Sequence, residues 1–212
     1  MVRCPSCFEQ EKEPCQCDCG YQSMESREGI YLAIGTFLHE NNYVIGKVLG
    51  KPGGFGITYL AWDTRFEIKV AIKEFLPFQI ATRSSDGISV LTHTQDYQTD
   101  FMFGMEKFLS EAKMLARFRH PNIVRIMNFF QENNTAYLVM EYLEGESLSE
   151  YLTKVGTLTV PDAVEIFLPV LNGLSHIHSE GVLHRDIKPS NIYLTNTGQA
   201  ILLDFGSSRH SL

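Results

Sequence analysis

His184-Arg185-Asp186-Ile187-Lys188-Pro189-Ser190-Asn191, followed shortly by Asp204-Phe205-Gly206, is the stretch on which the reading of this 212-residue chain turns. It sets an acid, a cation and an amide just ahead of Ile192-Tyr193-Leu194, a short apolar run that reads as a strand. A second apolar run, Ala200 to Leu203, leads to a second acid, Asp204. Polar groups at the ends of two adjacent strands suit one task, holding a metal-bound polyphosphate beside a hydroxyl nucleophile. Carboxylate and amide oxygens are the hard ligands that magnesium takes.

Upstream, Val70-Ala71-Ile72-Lys73 puts a lysine into an otherwise apolar strand, where an unpaired ammonium is costly to bury. Before it, Leu49-Gly50-Lys51-Pro52-Gly53-Gly54-Phe55-Gly56-Ile57-Thr58-Tyr59 is glycine-rich and flanked by strand formers, which predicts a hairpin whose backbone N–H groups can approach phosphate oxygens. Taken alone, such a hairpin is more often an ordinary turn. Phe101, Met105, Phe108, Ala112, Leu115 and Phe118 recur at helical steps and predict a helix, with Glu111 beside the apolar stripe. Ile123 to Phe130 and Thr135 to Met140 read as strands joined by the polar turn Glu132-Asn133-Asn134, and Leu148 to Lys154 as a short helix. A longer helix is expected over Pro161 to Ser179, capped by Thr159 and bent at Pro169, with a broad apolar face that needs partners. His176 and His178 near its end, two residues apart, point to different faces and do not form a metal pair. The segment from Glu74 to Asp100 carries turn signals at Pro77 and Ser84-Ser85-Asp86-Gly87 but no recognisable chemistry.

In order and spacing these motifs resemble the eukaryotic-type (Hanks-type) serine/threonine protein kinases of bacteria, over Tyr43 to Leu212. The resemblance implies an α+β bilobal fold. A complete N-lobe, an antiparallel sheet plus one helix, would span 43–141, and a partial helical C-lobe 142–212. It implies that Asp186 orients the substrate hydroxyl, that Lys188 stabilises the transferring phosphoryl group, and that Asn191 and Asp204 bind Mg2+. Lys73 would hold the ATP phosphates and pair with Glu111. Gly50, Gly53, Gly54, Phe55 and Gly56 would cover the nucleotide. Thr58, Ala71, Met140 at the gatekeeper position, Glu141, Leu143 and Tyr193 would surround the adenine. Arg185 matches the arginine that binds a phosphorylated activation loop, and His184 and Phe205 look structural, packing with Leu115 and Ile126. A lysine two residues after the aspartate is typical of serine/threonine specificity, so proteins with Ser/Thr acceptors are the implied partners. The glycine loop departs from the pattern: Gly53 and Gly56 match, Gly50 stands one residue early, Pro52 fills the gap, and Thr58 replaces a valine.

All five cysteines, Cys4, Cys7, Cys15, Cys17 and Cys19, fall within the first nineteen residues. Cys4-Pro5-Ser6-Cys7 can supply one side of a tetrahedral Zn2+, and Cys19 with Cys17 or Cys15 the other, which resembles a very short zinc ribbon over 1–21. A redox-active or disordered cysteine tail is the alternative. Residues 22–42 read as a linker around the apolar patch Ile30 to Ile34. With 44% apolar residues and a net charge of -7, the chain can bury a core and has no cationic excess for nucleic acid. No run is long enough to span a bilayer and the start lacks a signal-peptide core, so the chain reads as cytoplasmic, with an anchor beyond Leu212 left open. The activation segment and lower C-lobe of a full kinase are not within the sequence. Two readings follow: an ATP-dependent serine/threonine kinase read over part of its domain, or a non-catalytic nucleotide-binding or zinc-ribbon interaction protein.

Overall fold

Alternating apolar residues from Phe37 onward build a six-stranded sheet in the order β1 (Phe37–Leu38), β2 (Tyr43–Val48), β3 (Gly56–Asp63), β4 (Ile68–Phe75), β8 (Thr135–Glu141), β7 (Ile126–Glu132). The computed structural model describes residues 3–9, 17, 19, 29–50, 54 and 56–204, and the backbone of 209–210. Gly53, Phe55, Cys15, Phe205 and Gly206, all named above, lie outside the described residues. The chain divides into two units: Met1–Leu109 with Asn128–Tyr142, and Ser110–Met127 with Leu143–Leu212. Residues 110–127, expected in the first lobe, thus group with the second unit.

In the first unit, β2, β3, β4 and β8 pair antiparallel, and one sheet face buries Tyr59, Ile72, Tyr137 and Val139 completely. Helix α1 (Gln98–Leu115) begins three residues before the expected stripe and sets Phe101 and Phe108 against Phe75, ring centroids 5.3 and 5.6 Å apart. The stripe residues Phe101, Met105, Ala112, Leu115 and Phe118 are all buried, Phe118 lying just past the helix. From Gly29 on, the stretch read as a linker is docked: Leu32 is fully buried, its N–H donates to the Tyr59 hydroxyl (3.1 Å), and β1 pairs with β2. The Ile30 to Ile34 patch explains this, since burying it against the sheet removes apolar surface from water.

The 74–100 segment forms the hairpin β5 (Ala81–Arg83) and β6 (Val90–Thr92), its turn closed by Asp86 accepting from the N–H groups of Ile88 and Ser89 at 2.8 Å each. Arg83 brings a cation into the core, where Glu74 meets it in a two-pronged ion pair, Nη1 to Oε1 at 2.6 Å and Nη2 to Oε2, with both side chains at 0% exposure. Tyr59 and Tyr137 each donate a hydroxyl to Glu74 at 3.1 Å, and the Ile30 and Ile88 carbonyls take further Arg83 hydrogens.

In the second unit, β9 (Gly145–Ser147), β11 (Ile192–Thr195) and β12 (Ala200–Leu202) form a three-stranded antiparallel sheet with β11 central. Helix α2 (Leu148–Val155) starts from a capping box between Ser147 and Glu150, and α3 (Val160–Ser179) from one between Thr159 and Asp162, as the sequence predicts for Thr159. Helix α3 buries Val170, Gly173 and Ile177, while Val160, Val164, Leu168 and Leu171 of the broad apolar face are exposed. His176 stacks on His120, centroids 5.4 Å apart, and meets Phe118 edge-on. Among the described residues no helix is long and apolar enough to cross a membrane.

Candidate active site

The β11–β12 ladder decides where the acid and amide groups of the second unit meet. Ile192 pairs with Leu202, and the Leu203 N–H donates to the Asn191 carbonyl at 2.8 Å. Asn191, just before β11, and Asp204, just after β12, therefore come to the same end of one antiparallel pair. Asn191 is buried and its Nδ2 donates to both the Asp186 carbonyl (2.9 Å) and Asp186 Oδ2 (3.0 Å), which fixes the loop that bears the aspartate. Lys188 Nζ donates to the same Oδ2 at 2.7 Å. The lysine hydrogen bond, with help from Asn191, holds the Asp186 carboxyl below the ordinary aspartate value, so the group is a carboxylate at neutral pH.

His184 braces this loop from below. Its Nε2 donates to the Leu203 carbonyl (3.0 Å), and Nδ1 accepts from the Asp186 N–H (3.3 Å), an arrangement that needs the neutral ring. Burial agrees, holding the imidazole below its usual value. Arg185 and Asp204 both adopt positive φ, 65° and 45°, a conformation uncommon for residues with a Cβ. Such backbone persists when the surroundings over-determine it, and Asp204, two residues past β12, is exposed. The Tyr193 hydroxyl, expected near adenine, donates to the Gly145 carbonyl (2.9 Å), with the Leu143 carbonyl at 3.3 Å.

The first unit presents its own set of site residues along one sheet face. Thr58 lies opposite Lys73, and Ala71 opposite both Leu60 and Met140. Directly opposed residues share a face, so Thr58, Lys73, Ala71 and Met140 form one surface, while Glu74 points to the other. Glu141 follows Met140 at the end of β8. Gly56 opens β3 at φ 156°, and a Cβ there would stand 1.9 Å from the Glu74 carbonyl oxygen, so the glycine permits the hairpin to close on β4. Gly50 also has positive φ, and Gly54 is exposed. Glu111 is half-buried next to buried Ala112, and belongs to the second unit, whereas Lys73 belongs to the first.

At the start of the chain, the Sγ atoms of Cys4, Cys7, Cys17 and Cys19 lie within 4.8 Å of one another, with Cys7 and Cys17 at 3.3 Å and Cys4 and Cys19 at 3.6 Å. Sulfurs around a tetrahedral zinc, at roughly 2.3 Å each, stand about 3.8 Å apart. The donor set of Cys4, Cys7, Cys17 and Cys19 therefore fits such an ion. Burial pushes the Cys7 thiol up, whereas hydrogen bonding from the Cys19 backbone and thiol lowers Cys17. The Glu74–Arg83 pair was missed in the sequence; its signal was a glutamate at a core-facing strand position, one residue after Lys73.

A family model described as "Protein kinase domain" matches residues 43–211. The serine/threonine-protein kinase PrkC of Bacillus subtilis is 36% identical over 164 residues, covering 77% of this chain and 22% of that protein. The serine/threonine-protein kinase pkn2 of Myxococcus xanthus is 34% identical over 181 residues, covering 84% of this chain and 19% of the relative. The chain thus spans about a fifth of the length of these curated relatives. A solved structure titled "PpkA-294 apo form" matches at TM-score 0.74 and 33% identity over 84% of this chain and 62% of its own. With the strand order, the loop that carries Asp186 and a family match over most of its length, the chain belongs to the protein kinase domain family.

Proposed function

We propose that this chain carries the ATP-binding and phosphoryl-transfer residues of a bacterial Hanks-type protein kinase specific for serine and threonine. The observation that supports it most is the carboxylate of Asp186 held by Asn191 and Lys188 at the strand ends that also bear Asp204. Phosphoryl transfer asks for positioning and charge stabilisation more than for a strong base. Asp186 accepts a hydrogen bond from the incoming Ser/Thr hydroxyl and orients it. Lys188 is poised to exchange its carboxylate partner for the transferring phosphoryl oxygens. Asn191 and Asp204 supply the oxygen ligands for Mg2+. Bound ATP and its magnesium supply the phosphoryl group and neutralise charge on the phosphates. Lys73 holds the α and β phosphates. Thr58, Ala71, Met140 and Glu141 contribute to adenine binding, and the glycines from Gly50 to Gly56, with Phe55, cover the phosphates.

Cys4, Cys7, Cys17 and Cys19 hold a structural Zn2+, supported by their four sulfurs lying within 4.8 Å of one another. Unbridged thiols suit the reducing cytoplasm. The test is transfer of the γ-phosphate from ATP to a generic protein substrate by this chain and by its Asp186→Asn variant. Transfer that is lost in the variant supports the assignment. Equal transfer by both would remove Asp186 from it, and nucleotide binding without transfer by either would favour a binding role.

A further inference from the structure

The cysteine knuckle is seated on the same sheet face as the nucleotide residues, not on a separate stalk. Along β3, Thr58, Leu60 and Trp62 alternate onto one face, with Lys73 opposite Thr58 and Ala71 opposite Leu60. Leu60 is buried in a cluster with Cys4, Cys7 and Phe8, and Val44, Leu49, Trp62 and Tyr142 pack around it. Phe8 lies 5.9 Å from Trp62 between ring centroids, and the Arg3 guanidinium sits 4.1 Å from the Trp62 ring centre. Two members of this cluster flank the proposed nucleotide site in sequence. Leu49 immediately precedes Gly50, and Tyr142 lies between Glu141 and Leu143.

The backbone adds a second connection. The β2–β3 register shifts between Ile45 and Val48, and the Lys47 N–H in that irregular stretch donates to the Ser6 carbonyl at 2.8 Å. A Cβ on Gly46 would stand 2.5 Å from that carbonyl oxygen and 2.6 Å from the Phe8 ring, so Gly46 is what lets the knuckle lie on the strand. Downstream of this contact β2 ends and the glycine-rich hairpin begins, its stem closed by the Leu49 N–H to the Thr58 carbonyl at 2.8 Å. The turn Cys4–Cys7, which presents Ser6, has little apolar content of its own, and metal ligation is what orders segments of this kind.

We infer that Ser6 and Phe8 are positioning residues for the glycine-rich hairpin, so that metal at the four cysteines and nucleotide on the same sheet face bind with positive coupling. This rests on the metal and nucleotide readings proposed above. Linkage makes the coupling reciprocal: zinc tightens nucleotide binding by the factor by which nucleotide tightens zinc.

The test measures zinc content and then the Kd of a fluorescent ATP analogue with Mg2+ for the full chain, zinc-loaded and after a zinc-selective chelator. The expected result is one zinc per chain and binding about 5- to 10-fold weaker after chelation, within the usual range of such couplings. Hydrogen exchange at the Lys47 and Leu49 amides rises in parallel. Phe8→Ala retains all four ligands, so it keeps its zinc yet binds the analogue as weakly as the chelated protein, and it decides the matter if the metal-free chain unfolds. Equal affinity in the loaded, chelated and Phe8→Ala proteins overturns the coupling and leaves the metal reading standing. Absence of stoichiometric zinc overturns both, and a loaded chain that binds no analogue overturns the coupling together with the nucleotide reading.

Discussion

The two units each contain a close acid–base pair, and the pairs are built for opposite purposes. Glu74 and Arg83 in the first unit are both at 0% exposure and have every partner supplied by the protein: two tyrosine hydroxyls for the acid, two backbone carbonyls for the base. Asp186 and Lys188 in the second unit are 35% and 51% exposed and share a single 2.7 Å contact. Burial works against the Arg83 charge, yet hydrogen bonding and attraction from Glu74 outweigh it and raise the guanidinium above its ordinary value. Burial and the Glu74 charge push the Tyr59 and Tyr137 hydroxyls up as well, so both stay neutral donors. A saturated buried pair cannot exchange partners without a large desolvation cost, so it serves to hold the 81–92 hairpin on the sheet. An exposed pair can exchange at little cost, which suits the substrate-facing role proposed for Asp186 and Lys188.

The sharpest way to break this comparison is Asp186→Asn. Phosphotransfer should fall by about 10²–10⁴-fold, the range for a positioned acid–base group, while the urea midpoint stays close to that of the parent. A large stability loss would mean that this pair is structural like the other. Next in size, Arg83→Met should destabilise the first unit by about 3–5 kcal/mol in urea unfolding, because Glu74 is left charged and unpaired in the core. Adding Glu74→Gln should restore part of that loss, a recovery that packing alone would not produce. Lys188→Met should change stability by less than about 1 kcal/mol even as transfer falls, since exposed pairs contribute little and salt screens them.

The smallest effect concerns pH. The folded value of His184 lies below its unfolded one, so its contribution to stability is complete above about pH 6.5 and is lost as pH falls through the folded value. His120, lowered by burial and then by the charge of His176, acts with the same sign. Urea midpoints should therefore drop between about pH 7.5 and 5.5, and His184→Gln should flatten that dependence without removing it. A midpoint that rises toward acid would contradict the neutral, doubly bonded ring.

Much of the fold was legible because its signals are local. The helical spacing of Phe101, Met105 and Ala112 and the cap at Thr159 appear in the structure where the sequence places them. The α+β kinase fold follows from those elements, and the family and structural matches agree with it. Residues 29–42 differed because a short apolar patch in polar company gives no period to read, and its docking depends on Tyr59 and Arg83, distant in sequence. The same holds for 74–100: composition marks its turns, but only folding shows that Arg83 reaches Glu74. Residues 110–127 grouped with the second unit because continuity along a helix does not specify which unit each of its ends packs with.

By itself the sequence determined the chemistry on offer. His184 to Asn191 is short enough for the chain to dictate which groups stand together, and the apolar runs after Asn191 and before Asp204 make two strands that can only be neighbours if they pair. The tertiary structure alone decided how those groups are held. It set Gly46 against Ser6, Leu60 against Cys4 and Cys7, and Arg83 on Glu74, because strand register and face are properties of pairing across the sheet. A one-residue slip of β3 against β4 would turn Leu60 or Glu74 to the opposite face.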